Sequence, residues 1–148
     1  MVAKDYIKKY LQKKMTMQIA TANGNQPWVC SVFYVADDNQ NLYWLSFPSR
    51  RHSQEITKNK KAAIAIVVRA DWPVIGIQSE GIISVVQEEK VVKKIMQSYV
   101  DKYGKGSDFY DNFVAGTNEH WLYKFTPKQF VLFDEKHFSG KPRQVVNL

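Results

Sequence analysis

Cysteine is nearly absent from this sequence, because Cys30 is the only one among 148 residues. One cysteine forms no intrachain disulfide and no cysteine-based zinc site, and its rarity fits a reducing compartment. No apolar run approaches the ~20 residues that a membrane-spanning helix needs. The lysine-rich N-terminus also lacks the pattern of a secretory signal peptide. We therefore expect a soluble, cytoplasmic protein with no membrane partner.

The common catalytic signatures are absent as well. The sequence has no Gly-x-Ser-x-Gly hydrolase motif, no Walker-type phosphate loop and no complete dinucleotide-binding glycine motif. His52, His120 and His137 are widely separated, so we expect no metal site. Cys30 falls within a predicted strand, where a buried, inert thiol is expected rather than a nucleophile. No residue stands out as a catalytic acid or base, and we interpret Glu119 and His120 as a surface ion pair.

What the chain does have is an ordinary globular composition with an excess of positive charge. Hydrophobic residues make up 45% and charged residues 24% of it, and its net charge is +7. This length and composition fit a single folded domain over residues 1–148. A basic surface attracts nucleic acid, anionic membranes or phosphorylated small molecules. Because many of the lysines fall on predicted solvent faces of helices and no recognition helix accompanies them, we expect no nucleic-acid partner.

Hydrophobic periodicity predicts about six strands and four helices. The helices are predicted over residues 3–14, 51–59, 88–103 and 107–116, and the strands over 15–22, 28–35, 42–46, 62–68, 74–86 and 121–133. Gly76 and Gly81 interrupt the fifth strand, and Pro127 requires an edge or a bulge in the sixth. The tail from Asp134 onward is predicted to be irregular. Because the strands meander and no alternating βαβ pattern is present, a mainly β (α+β) fold is favoured, as a small antiparallel barrel with peripheral helices.

A basic cluster follows the third predicted strand, in Ser46-Phe47-Pro48-Ser49-Arg50-Arg51-His52-Ser53. Arg50, Arg51 and His52 stand at the start of a predicted helix, whose free N–H groups and positive dipole favour an anion. Arginine adds bidentate donors for phosphate, and the three serines add hydroxyl groups. The cluster predicts a phosphate site. The alternative is a solvated basic turn in which Ser49 caps the helix.

The order of these elements resembles the pyridoxamine 5'-phosphate oxidase-like family of FMN-binding split barrels. The similarity covers residues 4–86 well and the remainder loosely. It rests on a helix, a β-meander, the strand Tyr43-Trp44-Leu45-Ser46, the Arg51-His52 turn and a short helix that ends at Asn59. The resemblance implies a six-stranded antiparallel split β-barrel with peripheral helices. The short general-stress and uncharacterised members are more similar to this chain than a true pyridoxamine phosphate oxidase is.

The resemblance also implies FMN as the cofactor and a set of residues that bind it. These cofactor-binding residues are Cys30, Ser31, Val32, Phe33, Ser46, Ser49, Arg50, Arg51, His52 and Gln78. The basic residues would neutralise the phosphate, Ser46 would lie near the ribityl chain, and the backbone of residues 30–33 would hold the ring edge. The family further implies a homodimer with shared flavin sites, in which Trp121 or Lys124 of the second chain completes each site. Its expected activity is that of a flavin oxidoreductase or flavin reductase, which takes electrons from a reduced nicotinamide or another donor.

Several departures from the family pattern leave a second hypothesis open. The second strand, Trp28 to Phe33, carries no positive charge where the family's oxidases have Arg and Lys. Gly76 stands where those oxidases have a glutamine, and Gln78 is the nearest substitute. His52 replaces a lysine, and the C-terminal Arg-x-His motif is missing from the tail. The lost charges favour the alternative of a non-catalytic split barrel that binds heme, a deazaflavin or another ligand.

Overall fold

The computed structural model describes residues 1–148, which form four helices and eight strands. The helices are α1 (Ala3–Lys13), α2 (Arg51–Lys58), α3 (Glu89–Tyr103) and α4 (Ser107–Val114). The strands are β1 (Thr16–Asn23), β2 (Gln26–Phe33), β3 (Val35–Ala36), β4 (Leu42–Ser46), β5 (Lys61–Arg69), β6 (Ile75–Val85), β7 (Trp121–Asp134) and β8 (Arg143–Asn147). None of the helices is both long and apolar enough to cross a membrane.

All eight strands belong to one antiparallel sheet, in the order β2-β1-β5-β6-β7-β4-β3 with β8 also paired to β7. The long β7 pairs with β6 along one side. Along its other side, its first part pairs with β4 and its last part with β8. β2 and β3 follow one another in the chain, yet they are the two edges of the sheet and do not pair. The curled sheet is therefore open between them, and the expected split-barrel class is confirmed.

The main hydrophobic core lies inside the curled sheet and is closed by α1. Met17 and Ile19 of β1 are fully buried, whereas their neighbours along the strand are not. Ile7, Tyr10 and Leu11 lie on one face of α1 and join the same cluster. The period of two in β1 and the period of 3.6 in α1 thus identified the buried positions correctly.

A smaller hydrophobic cluster holds α3 against the strands near the open side of the barrel. Ile95 and Tyr99 of α3 pack there with Val35 of β3 and Tyr43 of β4. Gly104 follows the last residue of α3 with a φ of 63°, a left-handed conformation that glycine adopts without strain. The helix and its glycine stop were both predicted from the sequence, so the position of α3 follows from its apolar stripe.

Two of the eight strands are additional to the six predicted ones. β3 has only two residues, too few for an alternating pattern to be visible. β8 lies in the tail that was predicted to be irregular, and that prediction is wrong for residues 143–147. Val146 packs against the core while Val145 is exposed, because β8 pairs with β7 and covers one face only. Its polar neighbours hide this alternation in the sequence.

Of the edge or bulge expected at Pro127, the structure has a bulge, which lies where β6 and β7 pair. The register shifts so that Glu80 faces Gln129 but Gly81 faces Pro127, which leaves Lys128 without a partner across the ladder. A Cβ at Gly81 would collide with the carbonyl oxygen of Thr126. Glycine is therefore needed at this position for close backbone approach, as its place within a predicted strand indicated.

Candidate functional site

The end of β4 and the start of α2 are joined by a buried hydrogen bond between Ser46 and His52. Ser46 Oγ lies 2.8 Å from His52 Nε2, and both side chains are buried. Burial lowers the pKa of His52; Arg50 adds to this shift and Glu55 opposes it. The neutral imidazole is therefore favoured, and the pair fixes α2 to the strand that precedes it rather than presenting a charge to solvent.

The first turn of α2 has free backbone donors. The helix begins at Arg51, its N-cap is Arg50, and no side chain caps it. The N–H groups of Arg51, His52 and Ser53 have no acceptor, whereas the N–H of Gln54 donates to the Arg50 carbonyl at 2.9 Å. Three free donors at the positive end of a helix form a site suited to an anion such as phosphate.

The interpretation of Ser49 as the cap of this helix is wrong. The N–H of Arg50 donates to the carbonyl oxygen of Phe47 at 3.1 Å, so residues 47–50 form a separate turn. Ser49 lies within that turn, and the helix starts one residue too late for its hydroxyl to cap it. Ser49 is exposed beside the free donors, where its hydroxyl is available to a ligand.

Arg51 is held on two sides and keeps part of its guanidinium in solvent. Its guanidinium carbon lies 4.1 Å from the ring centre of Trp28, and its Nε donates to Glu55 Oε2 at 3.2 Å. Glu55 Oε1 accepts the Thr21 hydroxyl at 2.7 Å. The hydrogen bonds from Thr21 and Arg51 outweigh the effect of burial and lower the pKa of the Glu55 carboxyl. Because the Arg51 side chain is 46% exposed, its other N–H groups remain available.

Trp28 and Arg50 complete the surroundings of this basic cluster. Trp28 occupies the start of β2, where the resemblance leads one to expect a positive charge, and it stacks on Arg51 instead. Arg50 is exposed, with its guanidinium carbon 5.5 Å from the ring centre of Phe47. Both arginines thus rest on aromatic faces, which orient a cation without neutralising it.

The open edge of the sheet is β2, and its free backbone groups belong to alternate residues. The N–H of Tyr34 donates to Met15 at 3.1 Å, and the pairing continues in register along both strands. In an antiparallel ladder every second residue bonds to the neighbouring strand. Cys30 and Val32 therefore bond to β1, whereas the N–H and carbonyl groups of Ser31 and Phe33 face the open edge.

The side chains of β2 alternate in the same way. Cys30 and Val32 pack against the core, and burial raises the pKa of the Cys30 thiol. This environment fits the expected inert thiol. Ser31 and Phe33 are exposed on the opposite face. Of the four candidate residues in this strand, two thus present free backbone groups to a ligand and two belong to the body of the sheet.

Gln78 lies on the outer face of the sheet, away from the core and from the buried Ser46. It lines a shallow cavity of about 410 Å³ together with Gln18 and Gln129. Large apolar side chains are exposed on the same face, among them Val29, Phe33, Val67, Phe133 and Val145. The structure therefore brings together the candidates at residues 46–52 and the nearby edge of β2, but it places Gln78 on a different surface.

The predicted ion pair between Glu119 and His120 does not form. Asn118 Oδ1 accepts both the backbone N–H of His120 at 2.8 Å and its ring Nδ1 at 2.7 Å. Glu119 is exposed and makes no salt bridge. The short side chain of Asn118 closes a local turn, which holds the imidazole away from its acidic neighbour.

Sequence reasoning missed a buried carboxylate that anchors the tail. Asp134 is fully buried, and its Oδ1 accepts the N–H groups of Lys136 and His137 at 3.0 and 2.9 Å. Its Oδ2 accepts the Tyr10 hydroxyl at 2.9 Å and lies 2.8 Å from His137 Nδ1. Tyr10 lies 124 positions before Asp134, so no local pattern indicates that the two side chains meet. The network fixes the start of the tail to α1.

Three comparisons with known proteins were made: with protein-family models, with curated sequences and with solved structures. A family model described as pyridoxamine 5'-phosphate oxidase matches residues 3–133 of this chain. A search of curated protein sequences finds no match. The matched range extends from the start of α1 nearly to the end of β7, and it contains the whole basic cluster and the edge strand.

Solved structures from several bacteria share the fold. General Stress Protein 26 from Bacillus anthracis str. Sterne is 14% identical with a TM-score of 0.71, and the match covers 100% of both chains. HutZ from Vibrio cholerae, described as a heme storage protein, is 18% identical with a TM-score of 0.67 over 90% of this chain and 95% of that one. A protein from Mesorhizobium loti described as FAD-binding is 16% identical with a TM-score of 0.63 over 88% of this chain and 92% of that one. At these identities the likeness concerns the fold alone.

Proposed function

The chain belongs to the pyridoxamine 5'-phosphate oxidase family, and from this premise we propose that it binds FMN and acts as a flavin-dependent oxidoreductase. The observation that carries the proposal is the first turn of α2, where three backbone N–H groups lack acceptors beside Arg50 and Arg51. A phosphate group needs donors of this kind together with cationic side chains. The residues present at this end of the site therefore fit the phosphate of FMN.

The rest of the proposed site follows the edge of the sheet. The free N–H and carbonyl groups of Ser31 and Phe33 would hold the polar edge of the flavin ring, and Ser46 would lie near the ribityl chain. When bound, FMN supplies hydride and single-electron transfer. The contribution of the chain is to bind the phosphate, orient the ring along β2 and keep Ser46 in place through His52. The electron donor we propose is a reduced nicotinamide, and bleaching of a flavin absorbance band on its addition would support that assignment.

We further propose that the protein is a homodimer joined through the outer face of the sheet. Val29, Phe33, Val67, Phe133 and Val145 leave this face unusually apolar. A second copy of the chain would cover it and would place residues of one subunit near the flavin site of the other. Analytical ultracentrifugation of the wild type should give the mass of a dimer, and Val67→Glu should give that of a monomer. A wild-type monomer at micromolar concentration would contradict the proposal.

The FMN assignment is tested by comparing FMN with riboflavin, which lacks the phosphate. An absorbance spectrum of the purified protein comes first, and the colourless fraction is then titrated with each flavin. A hydrogen bond to a charged group contributes ~1.5–3 kcal/mol, so Arg51→Ala should weaken FMN binding about tenfold or more. Riboflavin affinity should stay unchanged. Arg69→Ala, at an exposed arginine that ends β5, is the matched control and should alter neither affinity. An unchanged FMN affinity in Arg51→Ala would overturn the phosphate site.

A second candidate function is the binding of heme without catalysis. The observation that favours it is Trp28, an aromatic platform at the place where the family's oxidases carry a positive charge. HutZ, which shares the fold, is described as a heme storage protein. Titration with hemin distinguishes the two candidates, because saturable heme uptake without FMN uptake would favour this function over the oxidoreductase.

A further inference from the structure

A second cavity lies between the helix α2, the end of β6 and the start of β7. Its volume is about 300 Å³, at the small end of the range of small-molecule pockets. Its apolar walls are formed by Ile56, Ile83, Val85, Trp121 and Tyr123. Ile56, Ile83 and Tyr123 are buried, whereas Val85 and Trp121 are 39% and 48% exposed. The cavity is therefore open on one side and offers an apolar, partly aromatic surface to a ligand.

This cavity lies on the opposite side of α2 from the arginine of the proposed FMN site. An α-helix has about 3.6 residues per turn, so Ser53 and Ile56 lie on one face of α2 and Arg51 and Glu55 on the other. Both Ser53 and Ile56 line the cavity, and neither Arg51 nor Glu55 does. Ser53 thus has a free backbone N–H at the proposed phosphate site and a side chain at this cavity. A ligand here needs no contact with Arg51.

The hydroxyl group of Ser53 is buried without a partner. Ser53 is 2% exposed, and its Oγ makes no hydrogen bond. Burial raises the pKa of Tyr123 and the nearby Ser53 hydroxyl opposes that rise, but their contact lacks the geometry of a hydrogen bond. Two other polar side chains of the cavity are already paired, because Thr57 Oγ1 donates to the Gln54 carbonyl oxygen at 2.7 Å and Gln54 Nε2 to that of Pro48 at 2.6 Å. An unpaired buried hydroxyl is costly, so Ser53 favours a ligand that brings an acceptor.

Lys60 supplies a positive charge at the other end of the cavity. Its carbonyl oxygen accepts the N–H of Ile83 at 2.9 Å, which fixes its backbone beside β6. Its side chain is exposed and makes no salt bridge, and no acidic residue lines the cavity. Seven positions separate Lys60 from Ser53, which corresponds to about two helical turns or ~10 Å along the axis of α2. The unpaired hydroxyl and the free cation therefore lie at separate points along the cavity.

We propose that this cavity binds an aromatic carboxylic acid that carries a carbonyl oxygen at the end opposite its carboxylate. The ring packs against the apolar walls, Lys60 pairs with the carboxylate, and the Ser53 hydroxyl donates to the carbonyl oxygen. A single cation matches the single charge of a carboxylate, whereas a phosphate dianion needs more donors than this cavity holds. The site requires no flavin, so the inference goes beyond the proposed function and does not rest on it.

The test compares 4-acetylbenzoate with 4-isopropenylbenzoate, which has the same shape and charge but a CH₂ group in place of the carbonyl oxygen. Titration of the wild-type protein by calorimetry should show 4-acetylbenzoate binding about tenfold tighter, because only the ketone gives the Ser53 hydroxyl a partner. Ser53→Ala should bring the two affinities together. Lys60→Ala should weaken the binding of both acids roughly threefold. Lys58→Ala, at an exposed lysine on the other face of α2, is the matched control and should change neither affinity.

The stability of Ser53→Ala provides a second measurement. Because the hydroxyl has no partner in the protein, its removal should leave the urea midpoint unchanged or raise it. A marked fall would show that Ser53 is bonded within the protein, and it would overturn the site.

The binding data decide for or against the site independently of that variant. Equal binding of the two acids by the wild type, or no binding of either at millimolar concentration, overturns it. Discrimination that survives in Ser53→Ala overturns the role of the hydroxyl, and a Lys60→Ala variant that binds as tightly as Lys58→Ala overturns the role of the cation. Arg51→Ala should leave the binding of 4-acetylbenzoate unchanged, so a failure of the FMN site and a failure of this site give different results.

Discussion

Replacing Asp134 by asparagine removes the buried charge that ties the tail to the first helix. Asparagine keeps the oxygen that accepts the N–H groups of Lys136 and His137. It replaces Oδ2, which accepts the Tyr10 hydroxyl at 2.9 Å, by an NH₂ group that accepts nothing. Tyr10 and the ring of His137 therefore lose their acceptor in a site where Asp134 has no solvent exposure and Tyr10 only 8%.

The expected loss of stability follows from these contacts. A hydrogen bond to a charged group contributes ~1.5–3 kcal/mol, and two such contacts are disturbed in Asp134→Asn. Since the backbone contacts to Oδ1 survive, we expect a loss of about 3 kcal/mol. Asp134→Ala, which also leaves the backbone donors unpaired, should cost ~3–5 kcal/mol. In a chain of this length, ~1 kcal/mol shifts the melting temperature by roughly 2–4 °C.

The loss should also depend on pH in a defined direction. Burial alone would raise the pKa of Asp134, but the hydrogen bonds from His137 and Tyr10 outweigh it, and the pKa is lowered. A carboxyl with a depressed pKa stabilises the fold above its unfolded value of about 3.9, and that contribution disappears as the pH falls through the folded value. The difference between the wild type and Asp134→Asn should therefore be complete at neutral pH and shrink in acid.

Urea unfolding followed by circular dichroism measures both effects. Asp71→Asn is the matched control, because Asp71 is exposed and makes no hydrogen bond through its side chain; its free energy of unfolding should equal that of the wild type. An Asp134→Asn variant within ~0.5 kcal/mol of the wild type at neutral pH would refute the reasoning. If Asp134→Asn loses the same free energy of unfolding at neutral and at acidic pH, the loss comes from the changed shape of the side chain and not from its charge.

Three further outcomes follow from single positions in the fold. Gly81→Ala should lower the free energy of unfolding by ~1–3 kcal/mol, because the added Cβ meets the Thr126 carbonyl oxygen. Gly76→Ala should be tolerated, because the atom nearest to its added Cβ is 3.7 Å away. Equal urea midpoints for the two variants would contradict this expectation. Cys30 should react with a thiol reagent much more slowly in the native protein than in urea, because burial raises the pKa of its thiol; equal rates would contradict this. Burial raises the pKa of Tyr99 to about 12, and the pKa values of five other tyrosines are also raised. Since the unfolded chain releases these protons first, stability should fall as the pH rises above ~10, and phenolate absorbance should lag behind that of the unfolded chain; superimposable titrations would contradict this.

The strands and helices that the sequence predicts are those whose pattern is long and regular. β1 alternates between buried and half-buried positions over most of its length, and α3 carries a continuous apolar stripe, so both were identified. β3 and β8 were missed for physical reasons. Two residues contain no measurable period, and β8 has a single side chain, Val146, packed against the core. Short edge strands are determined by the neighbour to which they bond, and a single sequence does not show that neighbour.

The candidate site divides in the same way between local and distant information. Arg50, Arg51 and His52 were identified because the cluster is contiguous and lies between a strand and a helix. The residues that orient Arg51 and offset its charge were missed. Trp28 and Thr21 come from another part of the chain, and Glu55 belongs to the polar pattern of α2. Sequence separation therefore explains why the basic cluster could be predicted and why its charge balance could not.

That charge balance determines how the proposed site recognises phosphate. Glu55 offsets part of the charge of Arg51, and burial together with the charge of Arg50 lowers the pKa of His52 and favours its neutral form. Arg50 is exposed and makes no salt bridge, so it is screened by solvent and attracts an anion only weakly. The strongest fixed donors are then the backbone N–H groups of the first turn of α2, which carry partial positive charge at any pH. Recognition of phosphate by this chain thus depends on the position of the helix end as well as on Arg51, and the buried bond between β4 and α2 holds that end in place.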